Sequence, residues 1–176
     1  MLRILTLLSF LIITSVLQGQ TGKLIGKVLD ENEEVTASVE GKIFNGYNIN
    51  VGNPHAVVFV EKIEDVGSLV DAPIVRPKDS YPEGVNVEFV EIMPGHEAKM
   101  RVHERGSGET RSCGTGTCAV ALAATIYSKE QLPARWVIYP PGGRLVVDID
   151  PHSNATLTGP AVIVSEHDIS KYLQEA

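Results

Sequence analysis

The stretch from His103 to Ala119, HERGSGETRSCGTGTCA, concentrates the residue types that do chemistry. A thiol, Cys113, stands directly before Gly114-Thr115-Gly116 and an Ala-rich run that predicts a helix. A helix start presents unpaired N–H groups and about half a positive charge. Those groups are expected to stabilise a thiolate, lowering its pKa so that it serves as a base or nucleophile near neutral pH. They also make a cradle for a carboxylate or phosphate, because glycines let a ligand approach the backbone. Glu104, Arg105, Glu109 and Arg111 precede the loop as charge partners. The competing reading is a small buried hydrophobe beside a common Gly-x-Gly loop. For Cys113 the coincidence of thiol, glycines and charges outweighs it. For Cys118 the buried reading is preferred: it lies among alanines about 1.4 turns further on, pointing elsewhere.

Two further polar islands interrupt apolar strands. Gly52-Asn53-Pro54-His55 precedes the run AVVFV, so an Asn and a His stand at a strand entrance. Taken alone, that cluster reads as a turn, since Gly-Asn and Asn-Pro are turn formers. Asn86 lies inside the strand-like Val85–Ile92, where an amide is disfavoured. Pointing outward it is harmless, and pointing inward it demands hydrogen-bond partners.

The elements that must position these residues are short. Strands are expected over Lys23–Leu29, Lys42–Val51, Ala56–Val60, Val85–Ile92, Ala98–His103, Trp136–Tyr139, Arg144–Ile149, Ala155–Leu157 and Ala161–Ser165. Val66–Val70 reads as one helical turn, and Pro73, Pro77 and Pro82 mark an irregular crossing. Thr115–Tyr127 is the one long helix, with Asp168–Leu173 as a short closing one. The class is α+β, with a mostly antiparallel sheet or barrel wrapped around a central apolar helix.

Composition narrows the function. The 176 residues suffice for one domain with a real core, and 43% are apolar. Fifteen basic residues against 22 acidic ones leave a net charge of −7, which argues against nucleic-acid binding. Two cysteines five positions apart exclude a disulfide framework and offer no Cys/His metal spacing.

Residues 1–20, MLRILTLLSFLIITSVLQGQ, differ from the rest. The apolar run from Ile4 to Leu17 is shorter than the roughly 20 residues that span a bilayer as a helix. It reads as a secretory signal peptide with Gly19 near the cleavage point, as a buried helix or strand whose partners lie elsewhere, or as a mis-started gene product. Residues 21–176 form the domain proper.

The segments GNPHAVVFV, GVNVEFVEI, RVHERGSGETRSCGTGTCAVA, PGGRL and LTGPAV resemble, in that order, the second half of the diaminopimelate epimerases. The longest is most similar to the actinobacterial variety, and the resemblance runs from about Val51 to Val164. It implies a cofactor-independent epimerase, free of pyridoxal phosphate, that converts LL- to meso-diaminopimelate for lysine and peptidoglycan synthesis. It also implies two similar lobes, each a barrel-like sheet around a helix, with one cysteine from each lobe facing the α-carbon. On this resemblance Cys113 is the second lobe's catalytic cysteine. Gly114 and Thr115 hold the α-carboxylate, Glu104 lies near the α-ammonium and Arg105 points toward the distal carboxylate. Asn53 and Asn86 bind the distal amino-acid end, and His55 supports the cysteine chemistry.

The first lobe's Cys-Gly-Asn loop has no match here. The expected partners are therefore the small-molecule substrate diaminopimelate and a complementary N-terminal lobe or a second copy of the chain, with no nucleic acid and no membrane. The pathway favours a cytoplasmic location and a mis-started gene product over secretion. A non-catalytic amino-acid-binding lobe and a proline-racemase-like isomerase are the alternatives.

Overall fold

The computed structural model describes residues 34–166 and, as backbone, the short strand 22–24. Eleven strands are seen: β1 (Gly22–Leu24), β2 (Glu34–Val39), β3 (Lys42–Asn50), β4 (Pro54–Phe59), β5 (Ile74–Arg76), β6 (Asn86–Met93), β7 (Glu97–Glu104), β8 (Gly108–Thr110), β9 (Ala134–Tyr139), β10 (Leu145–Ile149) and β11 (Ala155–Thr158). The single α-helix among the described residues, α1, spans Gly114–Tyr127. The strands join one sheet in the order β1-β11-β10-β9-β7-β6-β4-β3-β2-β5, with β8 alongside β7. All pairings are antiparallel except β4 with β6 and β7 with β9. The end strands β1 and β5 do not pair with each other, so the sheet is open rather than a closed barrel.

The composition of α1 explains why the sheet surrounds it. Every residue from Gly116 to Thr125 is buried, so the helix has no solvent stripe. A helix apolar on all sides has to be enclosed. Strands β3, β4, β6, β9, β10 and β11 pack against it, and Ala119, Ala121, Ala123 and Ala124 let them come close. Trp136 on β9 anchors the far side: it is buried, and its indole N–H donates to Thr125 Oγ1 at 2.9 Å.

The central strands are buried on both faces, and their alternation separates two cores. On β4 and β6, Val57 and Val90 face the helix, whereas Ala56, Val58, Val87 and Phe89 face a second core with Val35 and Ala37 of β2. The same alternation turns His55, Asn86 and Glu88 toward the helix.

Several expectations change. Ala161–Ser165 is not a strand: Val162, Ile163 and Val164 are exposed, and no described strand runs beside them. Pro160, just before, has no N–H to start a ladder. The helical turn expected at Val66–Val70 lies earlier, as a 3₁₀ turn at Ile63–Val66. Strands β2, β5 and β8 have no counterpart among the expected strands. The apolar segment 1–20, residues 25–29 of the first expected strand and the expected helix Asp168–Leu173 lie outside the described residues.

Candidate functional site

Three neighbouring strands bring polar side chains to the N-terminal end of α1. β4 supplies His55, with Asn53 just before it, and β6 supplies Asn86 and Glu88. β7 ends at Glu104 on the same face as Met100 and Val102, which pack against the helix. The parallel register of β4 and β6 sets His55 opposite Asn86 and Val57 opposite Glu88.

Cys113 is the N-cap of α1, in extended conformation, and its sulfur accepts from the Gly116 N–H at 3.4 Å. Thr115 Oγ1 lies 3.4 Å from the same sulfur and accepts from Asn53 Nδ2 at 3.4 Å. Asn53 Oδ1 is 3.1 Å from His55 Nε2, and His55 Nδ1 is 2.7 Å from Glu88 Oε1. A chain of contacts thus runs from Cys113 through Thr115, Asn53 and His55 to Glu88. It bends back on itself, because a Cβ on Gly116 would stand 2.6 Å from Glu88 Oε1 and 3.3 Å from the Cys113 sulfur. Only a glycine fits between them.

Asn86 points inward, and its Oδ1 accepts from the Arg105 backbone N–H at 3.0 Å. Glu104 accepts from the Thr110 hydroxyl. The Arg105 side chain does not join this group. It is exposed and lines a cavity of about 650 Å³ with Tyr81, Val87 and His103, on the other side of the sheet. Glu109 pairs with Arg101 (2.7 and 3.1 Å) instead of reaching the loop. The Pro140–Gly143 turn braces the segment before Cys113, since the Gly142 N–H donates to Arg111 O at 2.7 Å.

The electrostatics differ from the expectation in one respect. Burial pushes the Cys113 thiol above its ordinary pKa, although the Thr115 hydroxyl and Gly116 N–H pull it down; the charges of Glu88 and Glu104 add to the rise. The helix start favours the thiolate but does not outweigh desolvation. Cys118 is wholly buried, and desolvation raises it to about 11, in keeping with a packing role. Glu88 is also pushed up by burial, against the opposing pull of His55.

Glu88 escaped the sequence reading. The signal was available: Asn86 and Glu88, two apart between Val87 and Phe89, had to share one face of an otherwise apolar strand. The first-turn N–H groups of Gly114 and Thr115 have no acceptor within the helix and can receive an anion. Among the described residues no group of three or more His, Cys, Asp or Glu side chains is arranged to hold a metal, and no helix is long and apolar enough to cross a membrane.

The chain was compared with known proteins. The diaminopimelate epimerase of Streptomyces coelicolor is 45% identical over 147 residues, covering 81% of this chain and 51% of that protein. That of Geobacillus sp. is 40% identical, covering 70% of this chain and 43% of its own length, and that of Parabacteroides distasonis 39%, covering 76% and 50%. The chain therefore spans about half the length of these curated relatives. Among solved structures, a phenazine biosynthesis protein of the PhzF family from Bacillus anthracis superposes on 77% of this chain and 39% of its own, with 17% identity and a TM-score of 0.40. The family model for diaminopimelate epimerase matches residues 47–164, which include every site residue named above, and the chain belongs to the diaminopimelate epimerase family.

Proposed function

We propose that this chain provides one half of a two-thiol epimerase acting on diaminopimelate, with Cys113 transferring the proton on one face of the α-carbon. The observation that carries this reading is the placement of the Cys113 sulfur, 3.4 Å from both the Gly116 N–H and the Thr115 hydroxyl, at the start of a buried helix. The α-carboxylate binds the N–H groups of Gly114 and Thr115, which sets the α-carbon beside the sulfur. As the proton leaves, the carbanion's charge spreads into that carboxylate, and the helix start stabilises it there. Glu104 meets the α-ammonium, while Asn53 and Asn86 orient the distal end.

A raised thiol pKa suits the donor role: Cys113 rests as the thiol and delivers a proton to the carbanion. The reverse direction requires its thiolate, and inversion requires a second thiol on the opposite face. Cys118 cannot supply it, being wholly buried within α1. A complementary lobe or a second copy of the chain supplies that group. The reaction belongs in the cytoplasm, where the amino acid is made, and uses no cofactor.

A binding panel tests the substrate class. Calorimetry with LL- and meso-diaminopimelate, lysine and proline should give heat with the diaminopimelates and little with the others. Preference for proline would sink the assignment in favour of a proline-racemase-like site.

A further inference from the structure

Glu88 is the innermost member of the site. It is fully buried, its Oε1 meets His55 Nδ1 at 2.7 Å, and its Oε2 has no hydrogen-bond partner among the described residues. A carboxylate with a bare, buried oxygen is costly, so the group needs a reason to be there.

The hydrogen bonds supply one. Asn53 turns its oxygen toward His55 and its amide nitrogen toward Thr115, so His55 Nε2 must carry a hydrogen. Asn53 then donates to Thr115 Oγ1, which leaves the Thr115 hydroxyl hydrogen free to donate to the Cys113 sulfur. The contact between His55 Nδ1 and Glu88 Oε1 needs a hydrogen as well. The two side chains therefore hold two protons, one on Nε2 and one shared between Nδ1 and Oε1. Were they to hold only one, it would sit on Nδ1 facing a Glu88 carboxylate, and Nε2 would be bare. Asn53 would then have to turn over, and the chain would run in reverse, with the Cys113 thiol donating to Thr115.

We propose that Glu88 is a positioning residue of the epimerase site: by keeping a second proton on the His55–Glu88 pair it sets the polarity of the Asn53–Thr115 chain, so that the Thr115 hydroxyl donates to the Cys113 sulfur. That donor supports the thiolate which the reaction must form in one direction. The ionisable groups facing Glu88 are His55 from β4, Cys113 at the start of α1 and Glu104 from β7. Burial favours the proton-rich state of Glu88, consistent with its raised pKa. The catalytic meaning rests on the epimerase reading above, whereas the polarity itself does not.

Two measurements on the full chain, neither requiring substrate, test it. Nitrogen NMR of the His55 ring in the native protein should show Nε2 protonated across neutral pH. A neutral ring with a bare Nε2 would overturn the proposal. The second measurement is the pH profile of Cys113 alkylation by iodoacetamide. Glu88→Leu and Glu88→Gln both remove the acid's charge, so the comparison between them isolates the polarity. In Glu88→Leu the ring and the Asn53 amide lose their fixed orientation, and alkylation at pH 8 should be roughly tenfold slower than in Glu88→Gln, the worth of one hydrogen bond to a charged group. Glu88→Gln, whose amide donates to Nδ1, keeps the polarity, and its profile should lie at or slightly below the native pH range, since the charge that raises the thiol is gone. A purely space-filling Glu88 would give the Leu and Gln variants the same thiol profile, differing only in melting temperature, and that result would also overturn the proposal. Should Glu88→Leu fail to fold, the ring protonation in native protein and in Glu88→Gln decides alone. If diaminopimelate does not bind while these results hold, the substrate assignment fails and the polarity stands.

Discussion

His55 Nδ1 lies 2.7 Å from Glu88 Oε1, and both side chains are fully shielded from solvent. An acid and an imidazole sealed together beneath a thiol form a costly arrangement for a domain of this size. They form the inner end of a chain of contacts that runs through Asn53 and Thr115 to the Cys113 sulfur. The fold makes this possible because β4 and β6 run parallel, placing the two residues on one face at the same end of the helix.

Reactivity should separate the two cysteines. Burial raises both thiols, but Cys118 is taken to about 11. Alkylation needs the thiolate, so the rate at Cys113 should still be climbing at pH values where an ordinary thiol has levelled off. Cys118 should remain unmodified in the folded chain at pH 8. Mass spectrometry of the alkylated peptides reads both results.

Glu104 adds to the rise of the Cys113 pKa through its negative charge. Removing that charge with Glu104→Gln should move the alkylation midpoint of Cys113 to lower pH. The direction follows from the sign: less nearby negative charge makes the thiolate easier to form. If Glu104 meets the α-ammonium as proposed, diaminopimelate affinity should fall in the same variant.

Gly116→Ala should damage both stability and site. The added methyl would press on Glu88 Oε1 at 2.6 Å and crowd the Cys113 sulfur, and neither neighbour is free to swing away. Overpacking of this kind costs about 1–3 kcal/mol. Thermal unfolding should show the loss. Gly114→Ala meets only the tip of Leu157 at 3.5 Å and should cost far less.

Trp136→Phe tests the anchor of α1 at its far end. Thr125 would lose the indole N–H, and the smaller ring would leave space beside a buried helix. About 1–3 kcal/mol of destabilisation is expected from the lost hydrogen bond and the cavity together. Denaturant titration measures it, and Cys113 alkylation should be unaffected, since the change lies away from the helix start.

Much of this was legible in the residues. The helix was visible because Gly-Thr-Gly leads into an unbroken Ala-rich run, and Cys113 stood out by its place before that run. The two-sided burial of β4 was written in AVVFV. The residues around Asn86 leave its direction open, and its bond to the Arg105 backbone shows that it turns inward. The rise of the thiol pKa is not legible in the sequence, which shows the helix start but not the degree of desolvation. Glu88 was missed since a lone acid in a strand ordinarily faces water. The short strands β5 and β8 have three residues each, too few for any periodicity to register. Ala161–Ser165 has the composition of a strand without a described neighbour, and composition does not provide a partner.

The central claim is that Cys113 moves the α-proton of diaminopimelate. The direct measurement incubates the purified chain, alone and with a complementary first lobe, in deuterated water with LL- or meso-diaminopimelate and follows α-deuteration by mass spectrometry. The expected result is deuterium entering at one α-carbon, abolished by Cys113→Ser and unaffected by Cys118→Ser, with inversion only when the first lobe is present. Binding of diaminopimelate with no exchange under either condition, or exchange that survives Cys113→Ser, would contradict it.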